Sequence, residues 1–143
     1  TVPWIASPGS GSDNWGSYSR EREEIANHIH ALGLTRRLLM LSGDAHMVAI
    51  DDGTHSNYAT GTGRRQRGFV VMHAAPLDRR TSDKGGPYSH GISRERGQFG
   101  LVDVTDDGQK LSIELSGRDR AGARIPGMVL ALSCDGQACR IVR

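Results

Sequence analysis

Apolar residues recur in two different rhythms along these 143 residues, and the change falls near residue 46. In the first part, Ile25, Ile29 and Leu32 stand at i, i+4 and i+7, a spacing that lines one face of a helix. Glu21, Glu23 and Glu24 fall in its first turns, where negative charge complements the helix dipole, and Gly33 suits a C-cap. The pattern predicts one long helix over 17–32, opening near Ser17 or Ser19. Before it, 7–16 is rich in Gly, Ser and Asp and reads as a surface loop. After it, Leu38-Leu39-Met40-Leu41-Ser42 is a short apolar run bounded by turn signals, as expected of a strand buried on both faces.

Beyond residue 46 the chain reads as mostly β. The stretches 47–50, 68–75, 99–104, 110–116 and 127–133 are short runs rich in Val, Ile and Leu. Three Asp-Gly pairs, at 52–53, 107–108 and 135–136, are hairpin signals, the last two especially because alternating runs flank them. Leu111, Ile113 and Leu115 mark one face of such a run, and Ser112, Glu114 and Ser116 the other. These features predict an antiparallel meander at the C-terminal end, with 117–124 as an exposed connection. The long polar stretch 76–98 reads either as a lid or as a disordered segment. No repeat of 20 to 50 residues is visible.

Composition narrows the class without naming a function. Counting the 19 glycines and setting tyrosine aside, roughly 47% of residues are apolar, the ordinary globular range. A net charge of +2 is too mild to argue for a nucleic-acid scaffold or a membrane surface. No stretch approaches the ~20 apolar residues that span a bilayer, and no signal-peptide pattern opens the chain. The opening residues Thr1-Val2-Pro3-Trp4-Ile5-Ala6 read as the tail of a strand leaving a core, so the chain is expected to be a fragment of a longer protein. Cys134 and Cys139 flank Asp135-Gly136-Gln137-Ala138 and can face each other across a hairpin. A bridge there favours an oxidising compartment, secreted or periplasmic, and two free thiols in a cytosolic protein are the other reading.

The residues that carry candidate chemistry are Gly43-Asp44-Ala45-His46, directly after the apolar run. Strand residues i and i+2 point to the same side, so Asp44 and His46 can face one site if the extended backbone persists past Ser42. Gly43 lets the chain turn there. A carboxylate and an imidazole together suit iron, manganese, zinc or, through the oxygen alone, calcium.

Three stretches resemble the C-terminal part of metallophosphoesterases of the alkaline phosphatase D (PhoD-like) family. They are Asp13-Asn14-Trp15-Gly16-Ser17-Tyr18 followed by Arg20-Glu21-Arg22, then Leu41-Ser42-Gly43-Asp44-Ala45-His46, then Gln98-Phe99-Gly100-Leu101-Val102-Asp103-Val104. The resemblance implies an α/β fold, the C-terminal part of a four-layer αββα sandwich of mostly short antiparallel strands with one long helix. It also implies hydrolysis of phosphate esters by two metal ions, iron and calcium in the family, with manganese or zinc as further candidates. Asp44 would serve one ion and His46 the other, as both metal ligands and catalytic residues. The family's remaining ligands lie upstream, so the missing N-terminal half of the same protein is the expected partner and the isolated chain is expected to be inactive. The alternative is a non-catalytic β-rich binding or structural module.

Other residues have weaker claims. Arg64, Arg65 and Arg67 in the glycine-bearing loop 61–68 can grip phosphate oxygens, but the loop lacks the Lys-Ser/Thr ending of a nucleotide P-loop and reads as solvated. His28 and His30 lie on different helix faces and read as surface residues. His73, inside an apolar run, reads as a core histidine. His55, just past Asp52-Gly53, is the best remaining candidate for a site role.

Overall fold

A computed structural model describes residues 2–11, 13–61 and 66–142. Its helical part is short. The Asn14 side-chain oxygen accepts the Gly16 N–H at 2.8 Å and so caps a 3-10 turn, Trp15–Tyr18. Helix α1 follows over Ser19–Ala31, 13 residues. Ile25 and Ile29 pack against the core as their spacing predicts, but the helix ends before Leu32, which is left exposed at the C-cap. Its buried residues are Ala26 and Arg22. The Arg22 Nη1 donates to the Trp4 and Ala6 carbonyls at 2.9 and 2.8 Å, and its guanidinium lies 3.5 Å over the Tyr58 ring. Trp4 in turn packs on Trp15, Tyr58 and Phe69. The first residues therefore form an irregular segment bolted to α1, rather than a strand.

The described residues hold eight strands: β1 Leu39–Ser42, β2 Val48–Asp51, β3 Val70–His73, β4 Ile92–Ser93, β5 Phe99–Asp106, β6 Leu111–Arg118, β7 Arg124–Cys134 and β8 Cys139–Val142. They make two four-stranded sheets, ordered β1-β3-β2-β4 and β5-β6-β7-β8. β1 and β3 are parallel, with Leu39 opposite Val70, while β2 runs antiparallel to β3 and to β4. The second sheet is an antiparallel meander throughout.

Alternation along β2 and β3 sorts their side chains into two cores. Met47, Ala49 and Val71 face α1 and the Trp4 segment, while Ile50, Val70 and Met72 face Leu115, Leu130 and Leu132 of the second sheet. The result is three layers, with one short helix and the irregular segment on one side of two sheets. This mostly β fold overturns the expected α/β architecture, a four-layer αββα sandwich with a long helix, because α1 is the one α-helix among the described residues and supplies a single partial layer. No helix among them is long and apolar enough to cross a membrane.

β1 differs from expectation in a second way. It pairs with β3 on one side and forms the sheet edge, so Leu41 is 57% exposed instead of buried. Val104 and Val142 also lie open on the second sheet. Of the three Asp-Gly pairs, two close hairpins. Asp107 and Asp135 each accept two backbone N–H groups on Oδ1, and these bonds hold both carboxyls below the usual carboxylate range. Asp52-Gly53 instead turns β2 into a loop, where Gly53 has φ +95° and a side chain would meet the Gly68 carbonyl at 2.6 Å. Cys134 and Cys139 stand opposite each other at the base of the last hairpin and form a disulfide.

Candidate functional site

The Gly43–His46 turn follows the C-terminal end of β1, beside the end of β3. Extended geometry does not persist past Ser42. Asp44 takes φ +77°, a left-handed conformation that a non-glycine residue adopts at a cost, and the Met47 N–H bonds back to the Ala45 carbonyl at 2.9 Å. The turn is thus made at Asp44 and His46, not at Gly43. It brings the two residues into electrostatic range of each other but gives their side chains separate partners.

His73 holds this turn from below. It is fully buried, with one ring nitrogen 2.9 Å from the Ala45 carbonyl and the other 2.8 Å from Ser42 Oγ. A carbonyl only accepts, so Nε2 carries the proton and Nδ1 accepts from the hydroxyl. Burial pushes the His73 pKa down, and the neutral ring is satisfied at both nitrogens. The core reading of His73 stands, with the addition that it fastens the candidate site to the sheet.

The same logic fixes His46. Its Nδ1 lies 2.7 Å from the Arg80 carbonyl, so Nδ1 donates and the Nε2 lone pair is left for another partner. Metal-binding histidines are commonly oriented in this way, by a hydrogen bond from the other ring nitrogen. The His46 backbone also bridges Ser82, through bonds of 3.3 and 3.4 Å. Asp44, with its side chain 39% exposed, accepts from Lys84 Nζ at 2.6 Å, and this ammonium holds its carboxyl below the usual range. A cation already sits on the carboxylate.

Arg80, Ser82 and Lys84 all belong to 76–98, which is an ordered cover over the turn. Pro76–Arg79 closes a turn through the Arg79 N–H on the Pro76 carbonyl, Leu77 and Gly97 exchange bonds with their neighbours across the base of the loop, Gly86 N–H bonds the Ile5 carbonyl, and Tyr88 is buried in the first core. Beside His46 lies a cavity of about 430 Å³ lined by Asp78, Arg79, Arg80 and Arg96. The sequence reading missed this basic wall and Lys84. The signal the sequence carries for it is the clustering of Arg79, Arg80, Arg94 and Arg96 within one loop. Of that loop, Arg64 and Arg65 lie outside the described residues, and Arg67 pairs with Asp52 at 2.7 Å.

His55 does not join Asp44 and His46. β2 carries the chain away from the turn, so Asp51 lies three residues, roughly 10 Å, along the strand. There the fully buried Asp51 carboxylate accepts from His55 Nδ1 at 2.7 Å and from the Gly53, His55 and Ser89 N–H groups. Four bonds satisfy it and pin the 51–55 turn to residue 89. His30 meets Gln66 at the surface, and His28 lies near the exposed end of α1.

Among the described residues, no group of three or more His, Cys, Asp or Glu side chains is placed to hold a metal ion. Asp44 and His46 could contribute two donors. No family model, curated protein or solved structure matches the chain.

Proposed function

We propose that Asp44 and His46 belong to a metal centre for phosphoester hydrolysis, completed by ligands from outside this chain. The observation that carries this reading is the His46 ring, oriented through Nδ1 by the Arg80 carbonyl and lining a cavity together with Arg79, Arg80 and Arg96. The resemblance of the Gly-Asp-x-His turn to alkaline phosphatase D-type enzymes supports it. The donor set fits: an imidazole nitrogen oriented by a backbone carbonyl, and a carboxylate that holds a cation in the form of the Lys84 ammonium. Iron and calcium are the ions favoured by the family, with manganese or zinc as further candidates. When bound, paired ions supply an activated water and neutralise charge on the phosphoryl group.

The chain's own residues do the positioning. His73 and Ser42 keep the turn in register with the sheet, and the Arg80 carbonyl keeps the His46 ring oriented. Lys84 balances the Asp44 charge and must yield that carboxylate to an incoming ion.

The test uses the intact protein. Asp44→Asn preserves size and removes charge, and His46→Ala removes the donor. Each is expected to lower hydrolysis of an aryl phosphate by about 100-fold or more and to reduce bound metal, with thermal stability largely kept. Full activity with unchanged metal content in either variant would falsify the assignment. Absence of both hydrolysis and bound metal in the wild-type protein would favour the β-rich binding module.

A further inference from the structure

We infer that the Lys84 ammonium is a built-in latch on the Asp44 carboxylate, holding it against a divalent cation and swinging aside when that cation binds; this rests on the metal reading above and adds how the site is regulated. The segment 80–84 crosses the Gly43–His46 turn as a strap. His46 Nδ1 donates to the Arg80 carbonyl at 2.7 Å, the Ser82 N–H donates to the His46 carbonyl at 3.4 Å and the Ser82 hydroxyl accepts the His46 N–H at 3.3 Å. These bonds orient His46 and leave the Asp44 carboxylate alone. Lys84 Nζ, at 2.6 Å from Asp44 Oδ2, instead occupies a carboxylate oxygen that a metal ion would need.

The residue type fits a releasable contact. The chain has two lysines, Lys84 and Lys110, among its 18 lysines and arginines. Every other ion pair that a lysine or arginine makes among the described residues uses arginine. A guanidinium can grip a carboxylate through two parallel bonds, whereas an ammonium is a strongly hydrated point charge on a flexible four-carbon stem. The backbone on either side of Lys84 is also held without its ammonium. Ser82 is fastened to His46, the Gly86 N–H bonds the Ile5 carbonyl at 2.7 Å, and at Gly85, with φ +79°, a side chain would collide with that same carbonyl. Release therefore needs only rotation of a side chain that already reaches solvent, while the cover stays in place.

The experiment titrates the intact protein, first stripped with chelator, with calcium chloride and with manganese chloride. Calorimetry reads ion affinity, and reductive dimethylation followed by mass spectrometry reads amine exposure, with the exposed Lys110 as reference. Lys84→Met is expected to tighten ion binding about fivefold or more, and Lys84→Arg to weaken it by a similar factor. In the wild type, ion loading should raise Lys84 labelling about fivefold and leave Lys110 unchanged; Asp44→Asn should raise it without any ion. An ion that binds equally well to wild type and Lys84→Met, or Lys84 labelling that does not rise on loading, overturns the latch and leaves the metal reading standing. Binding of neither ion to wild type or to Lys84→Met overturns both.

Discussion

His73 shows how one residue can serve both core and site. A fully buried imidazole is tolerated here because the Ala45 carbonyl and the Ser42 hydroxyl satisfy its two nitrogens in the neutral form. Burial lowers its pKa, so the folded protein resists a proton that the unfolded chain accepts near the ordinary histidine value of about 6.5. The unfolded state then binds more protons as pH falls below that value. Stability contributed by neutral His73 is full above about pH 6.5 and is lost toward acid, by up to about 1.4 kcal/mol per pH unit until the folded pKa is reached. Denaturant midpoints at pH 7.5 and 5.5 should show this loss, and His73→Gln, which cannot titrate, should flatten that component of the slope. An identical slope in both proteins would show that His73 is not held neutral.

The last hairpin illustrates what an element owes to its turn and its staple. Asp135 organises the tip by accepting the Gln137 and Ala138 N–H groups, and Arg37 reaches across to the Gly136 and Gln137 carbonyls. The disulfide closes a loop with a sequence separation of 5, which restricts the unfolded chain only modestly. Cys134→Ala with Cys139→Ala is expected to lower stability by about 2 kcal/mol, chiefly by releasing β8, as read by denaturant unfolding and by hydrogen exchange at 139–142. Denaturing, non-reducing thiol titration of the native protein should find no free thiol. Two reactive thiols per chain would reject the bridge.

Across the whole molecule, the first sheet is shared between two cores while the outer parts of the second are open. Ile50 is 0% exposed and joins β2 to Leu115 and Leu130 across the sheets, whereas Leu41 on the free edge is 57% exposed. Ile50→Ala is therefore expected to cost about 2–5 kcal/mol, and Leu41→Ala about 0.5 kcal/mol or less. Equal costs, measured by urea unfolding, would mean that β1 is covered as fully as β2.

The amphipathic stretch of α1, the runs that became β2, β3 and β5–β7, the alternation of Leu111, Ile113 and Leu115, and the two Asp-Gly hairpins were all legible in the sequence. Each is local: spacing decides which side chains share a face, and turn chemistry decides where neighbouring strands reverse. The same local signals missed the two-residue β4, whose partner β2 is more than 40 residues away. They also misplaced β1. An apolar run reads alike in the middle of a sheet and at its edge, because coverage depends on which strands arrive from elsewhere. The Gly-Asp-x-His turn announced its donors by residue type, but their disposition came from long-range contacts. Left-handed backbone at Asp44, the His73 brace, the Arg80 carbonyl on His46 and the Lys84 ammonium on Asp44 each join residues distant in sequence or depend on the turn they form. Layer count was likewise a tertiary outcome, since periodicity can say that a face is apolar but not whether a helix or a second sheet will cover it.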